Sequence, residues 1–191
     1  MSRRSAGMDR AYFERLYAGG ADPWGFASSA YEREKYAASL ASLPTARFAA
    51  ALEVGCSIGI FTRALAARCD TVLALDVADN ALAQARINCP ARHVRFLHRQ
   101  VPEDWPAGRF DLIVLSELLY YLTAEQVQRV AHHTRASLAP AGSVLLVHYL
   151  GETDYPLTGD AAAEAFLAAA ALQVYRQRRT PLYRIDVLRA A

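Results

Sequence analysis

The chain has little of what marks several protein classes. No apolar run approaches the ~20 residues of a helical membrane span, so no membrane partner is expected. Cysteine is scarce. Cys56, Cys69 and Cys89 are odd in number and lack metal-ligand spacing, which argues against a disulfide framework or a metal site and points to a reducing, cytoplasmic setting. Neither charge sign is in surplus: 21 basic residues stand against 19 acidic ones, for a net charge of +2. That field is too weak to argue for nucleic acid or an anionic surface. Met1–Gly7 carries two arginines without an apolar stretch behind them, so residues 1–8 read as a disordered lead-in and not as a signal peptide. No repeat and no linker divides the rest. A single domain over 9–191, monomeric or homodimeric, has enough residues to bury a full core.

What is present is an alternation of short apolar runs and helical patterns. Asp9 can cap a helix through about Tyr17, and Gly19-Gly20 ends it. Ser29 and Glu32 fit a capping box opening a helix to about Leu43, where Pro44 stops it. Strand-like runs follow at 50–54, 71–75, 94–98, 111–115 and 143–149, with helical patterns at about 59–68, 79–88 and 123–138. Parallel strands buried on both faces are implied. Only the link from 98 to 111 lacks a helix, with Pro102 and Pro106 against one. A helix at about 160–170 then leads to runs from Leu172 to Gln177 and from Leu182 to Val187, joined so closely that an antiparallel hairpin is predicted. The fold class is therefore α/β, a Rossmann-like three-layer sandwich. Its seven-stranded, mostly parallel sheet ends on an antiparallel strand, and the helices of 9–45 form a lid.

One turn carries the chemistry. The run Ala51-Leu52-Glu53-Val54 ends in Gly55-Cys56-Ser57-Ile58-Gly59, and the next run, Leu73-Ala74-Leu75, stops on Asp76. An acidic residue ~20 positions past the first glycine is the spacing of a ribose-binding carboxylate. A dinucleotide fingerprint would need glycines at 55, 57 and 60, and the chain has Gly55, Ser57 and Ile60. Ile60 would obstruct the close helix packing that the third glycine serves. The pattern G-x-[GS]-x-G fits instead, at Gly55, Ser57 and Gly59, with Ser57 expected to take an ordinary φ.

That pattern, with Glu53 before it and the closing hairpin, resembles the first motif of class I S-adenosylmethionine-dependent methyltransferases. Three further blocks narrow the resemblance to the NodS family: Asp22-Pro23-Trp24, Tyr31-Glu32-Arg33-Glu34-Lys35-Tyr36, and Ser116-Glu117-Leu118-Leu119-Tyr120-Tyr121-Leu122. The named member of that family methylates the free amine of a glucosamine in a deacetylated chitooligosaccharide. The resemblance thus implies S-adenosyl-L-methionine as cofactor and a small-molecule acceptor, an aminosugar or oligosaccharide amine. An O-methyltransferase and an inactive cofactor-binding regulatory module are the alternatives.

Under that reading Gly55 and Gly59 let backbone lie against the methionine part of the cofactor. Glu53 attracts its ammonium, and Asp76 accepts from both ribose hydroxyls. Val77 floors the adenine, and Gln100, beside Val101, stands where the family usually has an aspartate for the adenine amine. Cys56 and Ser116 complete the rim, and Lys35 and Tyr36 are placed to reach the cofactor's carboxylate, with a solvated face of Arg33, Glu34 and Lys35 as the alternative.

On the acceptor side, an in-line transfer asks mainly for positioning and one group to hold a proton. Glu117 is the first candidate, with a salt-bridged role as the alternative; His148 is the second, with a structural role as the alternative. Tyr120 and Tyr121 are candidates to wall the acceptor, one of them read as core and the other as site, and Tyr120 is the third catalytic candidate. Trp24 and Phe26 exclude water or anchor the lid. The loop 151–156 flanks the opening, with Glu152, Asp154 and Tyr155 available to bind hydroxyls. A shallow polar opening there would suit a saccharide. His132-His133 cannot share one helix face and read as surface residues.

Overall fold

In the computed structural model, residues 3–190 are described. The elements run α1 (Arg10–Ala18), α2 (Ala30–Ser42), β1 (Phe48–Val54), α3 (Ile60–Ala66), β2 (Cys69–Asp76), α4 (Asp79–Asn88), β3 (Val94–His98), β4 (Phe110–Ser116), a 3-10 turn (Leu119–Tyr121), α5 (Ala124–Ser137), β5 (Leu138–Tyr149), α6 (Gly159–Ala170), β6 (Gln173–Arg179) and β7 (Tyr183–Arg189). The sheet order is β3-β2-β1-β4-β5-β7-β6, with β7 antiparallel to both neighbours and β1 to β5 parallel. The strand order reverses between β1 and β4, and a crevice opens at the C-terminal edge where such sheets bind ligands.

Period-two alternation in β4 shows why the sheet is central. Ile113 and Leu115 pack with Leu119, Val127, Val130 and Phe166 on one face. Leu112 and Val114 pack with Phe61, Leu65 and Leu82 on the other. All four β4 side chains are fully buried, each stabilising the fold by about 1.5–3 kcal/mol through loss of contact with water. The strand β5 starts earlier than its apolar run suggests, because Leu138 pairs with Phe110 across a register shift.

Helix starts follow their caps. Asp9 accepts from Tyr12 N at 2.8 Å, and Thr123 with Gln126 forms a complete capping box. The box expected at Ser29 is only half made: Ser29 Oγ accepts from Glu32 N at 3.2 Å, but the Glu32 carboxylate bonds to Lys35. Residues 1–2 of the expected lead-in lie outside the described residues. Residues 3–8 run along the 153–155 loop and the 3-10 turn. Arg3 Nη1 donates to Tyr155 O, Arg4 N donates to Asp154 O, and Met8 N donates to Tyr121 O.

Candidate active site

A cavity of about 430 Å³ sits at the C-terminal ends of β1, β2 and β4, beneath α1 and the start of α2. Its floor is the turn after β1. Gly55 N and Cys56 N both donate to Leu75 O, and Ser57 N donates to Asp76 Oδ2 at 2.8 Å. Directing that amide at Asp76 gives Ser57 a φ of +50°, between Gly55 at +80° and Gly59 at +77°. The ordinary φ expected for Ser57 is thus corrected. A left-handed serine costs about 1–2 kcal/mol, offset by the bond to Asp76 and by a 2.6 Å hydrogen bond between Ser57 Oγ and Tyr17 Oη on α1.

Gly59 also departs from expectation, because it does not line the cavity. A Cβ there would lie 2.9 Å from Ala85 Cα of α4, so this glycine exists for helix packing. The role that a dinucleotide motif gives its third glycine falls here one position earlier.

Two carboxylates face the cavity from the strand ends. Asp76 is buried, and each of its oxygens accepts one backbone N–H, from Ser57 and from Ala78 at 2.9 Å. Each oxygen keeps acceptor capacity for a ligand. Burial raises its pKa, and the backbone donors pull it back. Glu53 is 2% exposed, and its Oε2 has no hydrogen-bond partner among the described residues. Burial, helped by the neighbouring Asp76 charge, pushes Glu53 up to about 8.

A second polar cluster lies on the opposite wall. Lys35 Nζ donates to Glu117 Oε1 at 2.6 Å and to Glu32 Oε1 at 2.9 Å. Glu117 Oε2 accepts from Tyr120 Oη at 2.7 Å and Tyr149 N at 2.9 Å, which holds Glu117 at a φ of +53°. Lys35 is 1% exposed, while its neighbours Arg33 and Glu34 form the solvated face of α2. Aromatic rings line the cavity on both sides. Tyr36 stacks on Phe61 at 4.7 Å, Trp24 on Phe26 at 5.5 Å, and Tyr155 on Tyr120 at 5.6 Å.

The cavity therefore brings together Lys35, Tyr36, Glu53, Gly55, Cys56, Ser57, Asp76, Val77, Gln100, Val101, Ser116, Glu117, Tyr120, Tyr121, Trp24 and Tyr155. Besides Gly59, three expected residues lie elsewhere. His148 is fully buried behind Tyr120 and does not line the cavity; both its ring nitrogens lack partners among the described residues, and burial lowers its pKa to about 4. Glu152 is exposed and points to no part of the cavity wall. Asp154 is tied to Arg4 at 2.9 Å, so the loop contributes Thr153 and Tyr155 instead, and the acceptor side is aromatic where a polar opening was expected. Sequence reasoning passed over Tyr17, Tyr31 and Glu32, all of which line the cavity. For Glu32 the S-x-x-E cap pattern supplied a sufficient local explanation and hid the other role.

Strand order, the reversed β7 and this glycine turn define a class I S-adenosylmethionine-dependent methyltransferase fold. The sequence model of the family described as Nodulation protein S (NodS) matches residues 11–148, and the chain belongs to that family. It is 36% identical over 127 residues to Nodulation protein S of Sinorhizobium fredii, a match spanning 65% of this chain and 59% of that protein. With Nodulation protein S of Rhizobium tropici the identity is 38% over 129 residues, spanning 65% and 53%. The chain thus spans little more than half the length of these curated relatives. The crystal structure of N-methyltransferase NodS from Bradyrhizobium japonicum WM9 in complex with S-adenosyl-L-homocysteine is 25% identical. It covers 95% of this chain and 99% of its own, with a TM-score of 0.83.

Proposed function

We propose that this protein is an N-methyltransferase that uses S-adenosylmethionine to methylate a small-molecule amine, that of an aminosugar or related saccharide. The observation carrying the reading is the charge of the cavity. Glu32, Asp76 and Glu117 line it as carboxylates, beside a Glu53 that holds its proton until a ligand displaces it, against buried Lys35 and an exposed Arg99. An enclosed site with surplus negative charge favours cationic ligands, which a sulfonium cofactor and a protonated amine both are.

The residues fit the cofactor. Asp76 has acceptor capacity for two hydroxyls, and the orphaned Glu53 oxygen asks for a donor such as an ammonium. When bound, S-adenosylmethionine supplies an electrophilic methyl group on a sulfonium. The chain's own part is positioning and exclusion of water. Tyr120, Tyr121 and Tyr155 wall the acceptor side, and Tyr17 and Trp24 roof the site. Both oxygens of Glu117 are occupied, by Lys35 on one side and by Tyr120 and Tyr149 on the other. Glu117 accordingly acts as a fixed negative charge beside the acceptor amine. Asp76→Ala tests the cofactor half: S-adenosylhomocysteine affinity by calorimetry falls about 10–100-fold, the scale of lost charge-assisted hydrogen bonds. Unchanged affinity contradicts it.

A further inference from the structure

The half-made capping box at Ser29 leaves one carboxylate unaccounted for. Glu32 gives up its reciprocal bond to the helix start and turns inward until 7% of it is exposed. Its Oε1 accepts from Lys35, and its Oε2 makes no well-formed hydrogen bond among the described residues, although the Tyr36 phenol faces the same carboxylate. The neighbouring Tyr31 Oη is likewise buried and without a partner, and both residues line the cavity. A buried polar atom left unpaired costs about 1–3 kcal/mol, more when it carries charge. Two such atoms on adjacent residues at one wall mark a place where a ligand's donors belong.

The charge of that place is fixed by Lys35. Its one ammonium is shared between Glu32 and Glu117, so three buried groups leave one negative charge uncompensated. A neutral hydroxyl would satisfy the hydrogen bonds but not the charge, whereas an anion would add to the excess. A cation meets both needs. The Tyr31 ring already faces Lys35 Nζ at 5.1 Å, as such rings do toward ammonium groups. Glu53 and Asp76 stand on β1 and β2, while Glu32 stands on α2 and shares Lys35 with Glu117 at the end of β4.

We infer that Glu32, with the Tyr31 hydroxyl beside it, is the anchor for the acceptor's ammonium, which passes one proton through the Glu32 carboxylate to water before its nitrogen lone pair takes the sulfonium methyl. The inference rests on the N-methyltransferase reading and adds the residues that select an amine over an alcohol. The test uses the full chain loaded with S-adenosylhomocysteine and a matched pair of probes, n-propylammonium and n-propanol, titrated by protein-observed NMR. The wild type prefers the ammonium at least about tenfold, the scale of one charge-assisted hydrogen bond. In Glu32→Gln the preference falls to within about twofold, and in Tyr31→Phe it weakens by about threefold, the size of one neutral hydrogen bond. S-adenosylhomocysteine affinity stays unchanged in both variants. If Glu32→Gln does not fold, Glu32→Asp replaces it and retains the preference in weakened form. The inference is overturned if the wild type shows no preference, or if Glu32→Gln or Glu32→Asp keeps it in full. It is also overturned if Glu32→Gln loses S-adenosylhomocysteine instead, which would assign Glu32 to the cofactor. A wild type that fails to bind S-adenosylhomocysteine at all refutes the methyltransferase reading itself, and this inference with it.

Discussion

Lys35 Nζ lies 2.6 Å from Glu117 Oε1, and this ion pair joins the lid helix α2 to the end of strand β4. Both side chains are nearly sealed from solvent, so the pair is formed in a medium where neither partner tolerates being alone. The same ammonium also serves Glu32, which makes Lys35 the tie between α2 and the end of β4.

Replacing Lys35 by methionine leaves Glu32 and Glu117 buried side by side without a counter-charge. The expected loss is about 3–5 kcal/mol of unfolding free energy, the usual consequence of removing one partner from a buried pair. Chemical denaturation checks it, and a loss below about 1 kcal/mol, the range of exposed ion pairs, would show the cluster to be solvated.

Gly59 gives a purely structural counterpart. An alanine there sets its Cβ 2.9 Å from Ala85 Cα while holding a φ of +77°. The combined backbone and overpacking cost is about 2–4 kcal/mol. Thermal and denaturant unfolding of Gly59→Ala measure it. Ligand affinity in the folded fraction stays near the wild-type value, because Gly59 lies outside the cavity.

Glu53 supplies the pH dependence. Its folded pKa of about 8 stands above the ordinary value of 4.5, so the folded state holds a proton that the unfolded state has lost between those limits. Stability contributed by that protonation is full below pH 4.5 and is lost as pH rises through 8, with a slope of at most about 1.4 kcal/mol per pH unit. An ammonium beside it favours the ionised carboxylate, so binding the amino-acid end of S-adenosylhomocysteine near pH 7 expels a proton. Calorimetry in buffers of different ionisation enthalpy detects the release, and Glu53→Gln abolishes it.

The fold was legible in the sequence because its signals are local and repeated. Apolar runs separated by helical patterns located the strands to within a few residues, and the short Thr180-Pro181 link announced the hairpin that reverses β7. The floor of the cavity was legible for the same reason, since Glu53, the glycine turn and Asp76 lie within one βαβ unit. The opposite wall was not. Lys35 and Glu117 are 82 positions apart, and only packing reveals that they touch. His148 and Glu152 read as polar residues near the right strand end, yet one faces the interior and the other solvent. The φ of Ser57 was missed because it is imposed by Asp76 and Tyr17, neither of which is a neighbour in sequence.

The most direct test of the account is methyl transfer from S-adenosylmethionine to a deacetylated chitooligosaccharide, with its N-acetylated counterpart as control and the modified atom located by tandem mass spectrometry. The account predicts a methyl group on nitrogen of the free-amine sugar and none on the acetylated one. Methylation of a hydroxyl in both compounds, with no modified amine, would contradict it.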